Sequence, residues 1–172
     1  MEVSNLDKDK LEQKKCTLFV TIFLVLFFSL VNNMVTAQSA WYFSPSDVNI
    51  LHSTAADYRI AYGKGVLQFA DLRLPKTTGV HPVAIIVHGG CWVSMFADLQ
   101  NTTALADALR KAGFATWNIE YRREDNEGGG WPGTFIDVAN ATDYLRTISK
   151  EYSLDLNNVI VIGHSAGGHL AL

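Results

Sequence analysis

The sequence predicts an α/β fold in which a mostly parallel, doubly wound sheet carries helices on both faces. Two short, mainly apolar runs, residues 83–87 (VAIIV) and 158–162 (NVIVI), are typical of parallel strands that are buried on both faces. Segments with apolar residues at helical spacing lie between them, as in successive strand–helix–strand units. A third observation is the sequence GHSAG at residues 163–167, which follows the second run directly and is typical of a tight strand-to-helix turn.

The first elements follow the same alternation. Residues 66–74 alternate apolar and polar side chains in their second half and stop at Pro75, which predicts an outer strand. Residues 102–112 predict a helix that ends before Gly113. The apolar residues expected on its buried face are Leu105, Leu109 and Ala112. No element is predicted for residues 38–62, which we expect to lead into the domain.

The second half repeats the pattern with a longer helix. Residues 114–121 predict the next strand, and a glycine-rich loop connects it to a helix over residues 134–152. Apolar residues recur along this helix at intervals of three and four, as expected for one buried face. They are Phe135, Val138, Ala141, Leu145, Ile148 and Tyr152. Strands that alternate with helices favour parallel pairing, because each helix carries the chain back across the sheet.

The composition is that of a globular protein. With 172 residues, of which 48% are hydrophobic and 18% charged, the chain can bury one sizeable core. The net charge of −3 is too small to indicate a nucleic-acid partner. Histidines, cysteines and carboxylates do not cluster at metal-ligand spacing, so no metal or organic cofactor is predicted. The composition favours no particular oligomeric state.

Residues 17–31 form an apolar stretch of fifteen residues without a charge. Lys14 and Lys15 precede it, and small or slim residues follow it at the −3 and −1 positions of a possible cleavage before Gln38. A basic flank, a short apolar stretch and a small-residue cleavage site are typical of a secretory signal peptide. The pattern therefore predicts a signal peptide over residues 1–37.

A cleaved signal leaves residues 38–172 as an exported domain, either periplasmic or secreted. Cys16 would leave with the signal, so Cys91 would have no partner for an internal disulfide. The alternative is an uncleaved membrane anchor over residues 17–31, although this stretch is short for a bilayer core, which needs roughly 20 apolar residues. Contact with a membrane is expected only in that case.

Ser165 is the candidate nucleophile, because it occupies the centre of the Gly-x-Ser-x-Gly sequence. At such a turn the chain reverses so tightly that the serine has a strained backbone and its hydroxyl projects above the sheet edge. Side chains two residues before and after the serine would collide, which explains the glycines at Gly163 and Gly167. The following helix begins with free N–H groups near the position where negative charge develops.

A second motif, His88-Gly89-Gly90, closes the first buried run. A loop at this place can form an oxyanion hole, since glycines let the backbone approach a substrate and turn its N–H groups inward. We assign the N–H of Gly90 as one donor, with Gly89 or Cys91 as its neighbour. The N–H of Ala166 is the donor on the opposite side.

The side chains around this loop have other expected roles. His88 is expected to orient the loop through hydrogen bonds, because a base would have to face the serine hydroxyl. Cys91 has neither a strained turn nor an adjacent base, so we expect its thiol to pack rather than to react. Two roles stay open for Trp92, which can line a substrate pocket or cover the sheet.

Five segments between residues 60 and 172 resemble those of a known family. They are ADLRLP, HGGCW, NIEYRR, GGGWPGTFIDV and GHSAGGHLAL. Together they resemble the α/β-hydrolase superfamily, and most closely its exported esterase and prolyl-oligopeptidase-like branch, with feruloyl-esterase and kynurenine-formamidase-like relatives. The resemblance implies that Ser165 is a nucleophile toward a small-molecule ester or acyl substrate and that the His88-Gly89-Gly90 loop holds the oxyanion. Glu120 and Arg122, in NIEYRR, are expected to form a structural pair at a strand end.

The chain departs from this family after the serine. Family members place the triad acid and histidine after the nucleophile, on loops that follow later strands, whereas only seven residues follow Ser165. His169 lies about one helical turn further on, where it cannot face the serine as a base. The resemblance therefore implies an N-terminal part of an α/β-hydrolase domain, truncated after the nucleophile elbow, with its last strand as an exposed edge.

Two functions remain open at this point. The first is a serine hydrolase that cleaves a carboxylic ester, or less readily an amide or peptide, through an acyl-enzyme. The second is a catalytically inactive α/β-hydrolase-like domain that only binds its ligand. An Asp or Glu and a His on loops after later strands would favour the enzyme, and their absence would favour the binding domain.

Overall fold

The computed structural model describes residues 44–172 and Ile22. The predicted signal peptide, residues 1–37, lies outside the described residues apart from Ile22, and the predicted anchor over residues 17–31 lies outside them in the same way. Two compact units divide the chain, Met1–Ser44 and Pro45–Leu172, and the second carries the fold. None of the helices in the described part is long and apolar enough to cross a bilayer.

Five strands form one sheet within residues 44–172, in the spatial order β1-β2-β4-β3-β5. The strands are β1 (Tyr58–Ala61), β2 (Phe69–Arg73), β3 (His81–Val87), β4 (Ala115–Ile119) and β5 (Leu154–Gly163). β3 pairs in parallel with both β4 and β5, as the apolar runs predict. β1 and β2 add an antiparallel part, so that the sheet is mixed. The prediction of an α/β fold is confirmed.

The described helices are α1 (Thr103–Lys111), α2 (Gly133–Ile148) and α3 (Ala166–Leu170). Short 3-10 helices at Pro45–Ile50 and Leu99–Thr102 precede β1 and α1. Gly113, with φ of 99°, follows α1 in the left-handed region, which confirms the glycine stop expected there.

The position predicted for the strand over residues 66–74 is wrong. We expect an outer strand there, but β2 lies inside the sheet, because β1 pairs along its outer side from Tyr58 opposite Leu72 to Ala61 opposite Phe69. No strand is predicted at β1, whose side chains are mostly exposed and carry little apolar alternation. A strand that buries almost nothing leaves no hydrophobic period in the sequence.

The main core lies between the sheet and α2. The buried face of α2 carries Val138, Ala141, Leu145 and Ile148, which are four of the six apolar residues predicted for this face. These side chains cover Trp117 of β4, which is fully buried and donates its indole N–H to the carbonyl of Ala141 at 2.9 Å. A buried indole N–H needs such a partner. Of the other two, Phe135 is half-buried in α2 and Tyr152 lies beyond its end.

The buried face predicted for α1 is wrong. Leu105 is 43% exposed, and the side chains turned inward are those of Thr103, Ala106, Asp107 and Arg110. The carboxylate of Asp107 accepts hydrogen bonds from Thr54 at 2.5 Å and from Arg110 at 2.9 Å, and it also pairs with Lys111 at 2.8 Å. This polar network replaces an apolar stripe, because each buried charge has partners.

β5 begins at Leu154, four residues before the predicted start, and it is an edge strand. Val159, Ile160 and Val161 are 38–48% exposed, so the run at residues 158–162 is not buried on both faces. An exposed edge at this strand is the expectation drawn from the family resemblance, and it is confirmed. The strand still ends where the motif requires, at Gly163 opposite Val87.

Candidate active site

Ser165 occupies the turn between β5 and α3 and is exposed. Its φ is 53° and its ψ is −118°, a conformation that few non-glycine residues adopt. Such a backbone conformation stores about 1–3 kcal/mol of strain and persists only where the surrounding structure enforces it. The strained turn predicted for the candidate nucleophile is therefore present.

The glycines on either side allow this turn. A side chain at Gly163 would overlap the backbone of Gly167, and one at Gly167 would overlap the carbonyls of Val87 and His88. The turn is closed by hydrogen bonds, including one from the N–H of Gly167 to the carbonyl of His164 at 2.9 Å. A side chain at either glycine would therefore collide, as the sequence predicts. The collision is with the turn itself at Gly163 and with the backbone at the end of β3 at Gly167.

The His88-Gly89-Gly90 loop lies directly beside the serine. A Cβ placed on Gly89 would lie 3.3 Å from the Cβ of Ser165 and 2.7 Å from the carbonyl oxygen of His164. Gly90 has φ of 106°, and the next two residues, Cys91 and Trp92, also have positive φ, at 50° and 57°. The loop therefore leaves the strand in a left-handed turn, closed by the bond from Val93 N–H to Gly90 carbonyl at 2.9 Å.

The four backbone donors assigned to the oxyanion hole have no acceptor in the part of the chain that the structure describes. Within residues 44–172, the N–H groups of Gly89, Gly90, Cys91 and Ala166 donate no hydrogen bond. Gly89 and Ala166 are buried, and buried backbone N–H groups are normally paired, so the lack of an acceptor for these two within the described residues is unusual. Their arrangement suits an acceptor that arrives with a ligand.

His88 supports the His88-Gly89-Gly90 loop from its buried side. Its ring is fully buried, its Nδ1–H donates to the carbonyl of Gly89 at 2.8 Å, and its Nε2 lies 3.1 Å from Oε1 of Glu120. The ring also stacks on Tyr121, with centroids 4.2 Å apart. These contacts agree with the orienting role predicted for His88, since neither nitrogen is free to accept a proton from Ser165.

Glu120 is the centre of a buried network under the loop. Its Oε1 accepts from Arg123 at 2.7 Å and from the backbone N–H of Tyr121 at 2.9 Å, and its Oε2 accepts from the N–H of Leu99 at 3.0 Å. Burial alone would raise the pKa of this carboxyl, but the hydrogen bond from His88 and the other donors outweigh it and hold the pKa below its usual range. Glu120 therefore stays ionised as the anchor of the network.

The predicted pair between Glu120 and Arg122 is wrong. Arg122 instead forms a two-point contact with Asp137 of α2, at 2.7 and 2.8 Å, and Asp137 is completely buried. β4 ends at Ile119, so strand alternation no longer sets the direction of these side chains, and Arg123 reaches Glu120 at 2.7 Å while Arg122 reaches α2. Asp137 is thus occupied by a structural ion pair and cannot serve Ser165 as a triad acid.

Tyr121 is a site residue that sequence reasoning misses. Its side chain is fully buried, and its hydroxyl donates to the carbonyl of His88 at 2.7 Å and approaches that of Gly89 at 3.3 Å. Burial raises the pKa of this phenol, which therefore remains a hydrogen-bond donor. The contact joins residues 33 positions apart, and no local pattern in the sequence indicates it.

A chain of aromatic rings extends from the loop over α3 and α2. The ring of His169 makes edge-to-face contacts with Trp92 and Phe135, each with centroids 5.6 Å apart, and Phe135 contacts Trp131 at 5.0 Å. Trp131 is 80% exposed. Of the two roles open for Trp92, this position favours the rim of the site. The ring of His169 packs between the rings of Trp92 and Phe135, and its hydrogen bond with Ser165 runs from the backbone N–H to the carbonyl of the serine at 3.3 Å.

The hydroxyl of Ser165 has no hydrogen-bonded partner within residues 44–172. Cys91 is exposed rather than packed, which corrects the expectation for its thiol. The described residues also contain no group of three or more His, Cys, Asp or Glu side chains that could hold a metal ion. What this part of the chain supplies is a strained serine and unpaired N–H donors.

Comparison with known proteins identifies the family. The family model described as BD-FAE matches residues 70–172, which include every strand from β2 onward and the whole of the candidate site. The chain belongs to the BD-FAE family. The match agrees with the α/β-hydrolase resemblance that the five sequence segments carry, and it spans well over half of the chain.

Two relatives of this BD-FAE chain are mycobacterial proteins. Esterase LipC of Mycobacterium tuberculosis (strain ATCC 25618 / H37Rv) is 33% identical over 115 residues, which are 66% of this chain and 28% of LipC. The probable carboxylic ester hydrolase LipM of the same organism is 31% identical over 128 residues, 72% of this chain and 29% of LipM. The chain thus spans less than a third of the length of either relative.

Solved structures share the fold. A bacterial heroin esterase superposes on 60% of this chain with a TM-score of 0.54 and 29% identity, covering 32% of that esterase. Esterase B from Lactobacillus Rhamnosis (HN001) superposes on 83% with a TM-score of 0.63, covering 46% of that chain, and at 20% identity it supports the fold alone. The mixed sheet and helices of this BD-FAE chain are those of α/β-hydrolase esterases.

Proposed function

We propose that the whole protein is a serine hydrolase that cleaves small-molecule carboxylic esters through an acyl-enzyme on Ser165. One observation carries the proposal: a serine with φ of 53° lies beside backbone N–H groups that have no acceptor within residues 44–172. Strain at the serine and unpaired donors around it are both disfavoured in a purely structural turn. Together they suit a nucleophile and an oxyanion hole.

The proposed reaction follows from this arrangement. The Oγ of Ser165 attacks the ester carbonyl carbon, and the carbonyl oxygen becomes an oxyanion that accepts hydrogen bonds from the N–H groups of Gly90 and Ala166, with Gly89 or Cys91 alongside. The C–O bond to the alcohol then breaks, and the alcohol leaves with a proton. Water attacks the acyl-serine, releases the carboxylic acid and restores the serine hydroxyl.

The proton of the Ser165 hydroxyl needs a base, which the described residues do not provide. We propose that a histidine held by an Asp or Glu supplies it in the whole protein, in the order serine, acid, histidine. It follows that residues 1–172 alone should have little or no activity. The N–H donors by themselves can stabilise an oxyanion but cannot remove the proton.

An ester is favoured over an amide as the substrate. Esterase LipC and the probable carboxylic ester hydrolase LipM are relatives at more than 30% identity, and the heroin esterase is a structural neighbour at 29%. An alcohol is also a better leaving group than an amine, so an ester requires less assistance from a general acid. Function does not follow from fold alone, so the site geometry must carry the mechanism.

The experiment is hydrolysis of a short-chain p-nitrophenyl ester by the whole protein. Ser165→Ala should reduce kcat/KM by roughly 10³-fold or more, because the nucleophile is lost. Ser153→Ala is the matched control, since Ser153 is also exposed with φ of 53° but lies outside the turn, and it should leave the rate unchanged. Hydrolysis that survives Ser165→Ala would contradict the proposal.

A binding domain without catalysis is the second candidate, and one observation favours it: within residues 44–172 the Ser165 hydroxyl has no hydrogen-bond partner. A protein of this kind would bind an ester or its carboxylate product through the N–H groups and would not turn it over. Absence of hydrolysis by the wild-type whole protein, together with binding of a carboxylate that Gly89→Pro abolishes, would support this candidate.

A further inference from the structure

We propose that Tyr121 is a positioning residue for the oxyanion hole. Its hydroxyl holds the carbonyls of His88 and Gly89 and thereby aims the N–H groups of the same two peptide units toward Ser165. The inference rests on the proposed function, since it assigns a role within that reaction. It adds a residue that the motif around the glycines does not contain.

The argument starts from the planarity of the peptide group. In a trans peptide the C=O of one residue and the N–H of the next point in opposite directions. The carbonyl of His88 belongs to the same unit as the N–H of Gly89, and the carbonyl of Gly89 to the same unit as the N–H of Gly90. Fixing both carbonyls on one side of the loop therefore fixes both N–H groups on the other side.

The structure fixes both carbonyls on one side. The Tyr121 hydroxyl lies 2.7 Å from the carbonyl oxygen of His88 and 3.3 Å from that of Gly89, and the His88 ring donates to the second carbonyl at 2.8 Å. The two N–H groups released on the opposite side have no acceptor within residues 44–172. Ser165 borders this loop, since its Cβ is 3.3 Å from the position of a Cβ on Gly89.

Tyr121 is itself rigidly held. Its ring is fully buried and lies nearly parallel to that of His88, with an interplanar angle of 8°. Its backbone N–H donates to Oε1 of Glu120, which also binds Arg123 and the second nitrogen of His88. A hydroxyl on so fixed a ring sets the position of the carbonyls rather than following them.

Glycines make this support necessary. Gly89 and Gly90 have no Cβ, so their peptide planes can rotate into orientations that other residues do not reach. The φ of 106° at Gly90 is one such orientation. Without the hydroxyl, the plane between His88 and Gly89 loses its hydrogen bond on the buried side and can turn its N–H away from the serine.

The test is Tyr121→Phe in the whole protein, with hydrolysis of a p-nitrophenyl ester as the readout. Losing one oxyanion donor lowers kcat by about 10²–10³-fold, and a donor that is misaligned part of the time should lose roughly 10–100-fold. KM should change by less than about threefold, because the donors act mainly in the transition state. Phe fills the same space, so the fold should be retained.

Tyr62→Phe is the matched control. Tyr62 is also buried, and its hydroxyl donates to a backbone carbonyl, that of Glu120, at 2.6 Å. Each substitution removes one buried hydroxyl and its short bond to a carbonyl, and Tyr121→Phe also removes the longer contact with the carbonyl of Gly89, so it should lower the thermal transition temperature at least as much as Tyr62→Phe. Only Tyr121→Phe removes contacts to the loop, and only this variant should lower kcat strongly.

Two further measurements separate the possible failures. Labelling of Ser165 by a fluorophosphonate should slow by a similar factor in Tyr121→Phe, and 4-aminophenylalanine at position 121, which keeps a donor, should restore part of kcat. If Tyr121→Phe does not fold, the 4-aminophenylalanine variant alone should show a kcat below wild type with KM unchanged. Equal kcat in all variants would overturn the inference and leave the proposed function standing, whereas an unlabelled wild-type Ser165 would overturn both.

Discussion

The backbone at three residues determines how the candidate nucleophile is presented. Ser165 has positive φ, and only hydrogen fits at the two glycines, because a side chain at Gly163 would meet the backbone of Gly167 and one at Gly167 would meet the end of β3. The carbonyls of Val87 and His88 lie where a side chain at Gly167 would have to stand. Close packing between β3 and the turn therefore keeps the serine in its strained conformation, since the backbone has no room to relax.

Gly167→Ala should destabilise the protein for this reason. The added methyl meets two backbone carbonyls that cannot move aside, so we expect a loss of about 2–3 kcal/mol in the free energy of unfolding, measured by urea denaturation of the whole protein. Gly168→Ala is the control, because its Cβ would meet only one atom closely, the carbonyl oxygen of Gly163 at 3.3 Å. It should change the free energy by less than about 1 kcal/mol. Equal losses in the two variants would contradict the packing argument.

Sequence reasoning succeeds for single residues where the constraint is local. The glycines at Gly163 and Gly167 are required by a turn only five residues long, so their spacing predicts them. Tyr121 and Arg123 cannot be found in this way, because Tyr121 bonds the loop and Arg123 bonds Glu120 beneath it only in the folded chain. The Glu120–Arg122 prediction is wrong for a related reason: the sequence does not say which side of the chain each residue faces once the strand has ended.

At the scale of elements, α1 shows that a buried face need not be apolar. Its inward side chains include Asp107 and Arg110, which satisfy each other and Thr54. Burial raises the pKa of Asp107, but hydrogen bonds from Lys111, Thr54 and Arg110 outweigh burial and bring the pKa well below its ordinary value. The Asp107 carboxylate therefore holds α1 against the segment before β1 through its hydrogen bond with Thr54.

Asp107→Asn should reveal the role of this carboxylate. Removing the charge leaves Arg110 buried without its partner, so we expect the free energy of unfolding to fall by about 2–4 kcal/mol at neutral pH. Asp143→Asn is the matched control on α2, where the ion pair with Arg146 is exposed at 3.4 Å, and it should change the free energy by less than about 0.5 kcal/mol. If the free energy of unfolding fell only in Asp143→Asn, or fell equally in both variants, the role given to Asp107 would be contradicted.

The same carboxylate gives a pH dependence with a definite sign. Because the pKa of Asp107 is lower in the folded than in the unfolded state, its stabilising contribution is complete above the unfolded pKa of about 3.9 and decreases as the pH falls below it. The difference in stability between wild type and Asp107→Asn should therefore be constant near neutral pH and shrink under acid conditions.

Strands and helices are predictable where burial produces a periodic pattern of apolar residues in the sequence. The buried strand β3 and the helix α2 have clear apolar patterns and are both present, although β3 begins two residues before its predicted start and α2 ends at Ile148, four residues before its predicted end. β1 buries too little to leave a pattern, and α1 turns charged residues inward, so hydrophobicity indicates the wrong face. Both errors arise because contacts between distant segments, rather than local preference, decide which side chains are covered.

At the scale of the molecule, the elements of the candidate site lie together at one side of the sheet. The loop after β3 and the turn after β5 are neighbours because the two strands pair in parallel with Val87 opposite Gly163. Polar groups at the carboxyl ends of adjacent parallel strands form a crevice where ligands bind. The exposed residues Val159, Ile160 and Val161 mark β5 as the outer edge of the described sheet.

The sheet order also explains why the two motifs predict the site although they are 75 residues apart in the sequence. A parallel strand pair aligns the ends of both strands, so the loops that follow the neighbouring strands β3 and β5 lie side by side. The base for Ser165 cannot be placed by the same reasoning, since within residues 44–172 no histidine follows a further strand of this sheet.

The most direct test of the central claim, that Ser165 is the nucleophile, is covalent labelling of the whole protein. The protein is incubated with a fluorophosphonate, digested, and the modified peptide is identified by mass spectrometry. We expect one adduct, on Ser165, which forms rapidly in wild type, is unchanged in Ser153→Ala and is absent in Ser165→Ala. Labelling of a different serine, or ester hydrolysis by a protein whose Ser165 stays unmodified, would contradict the claim.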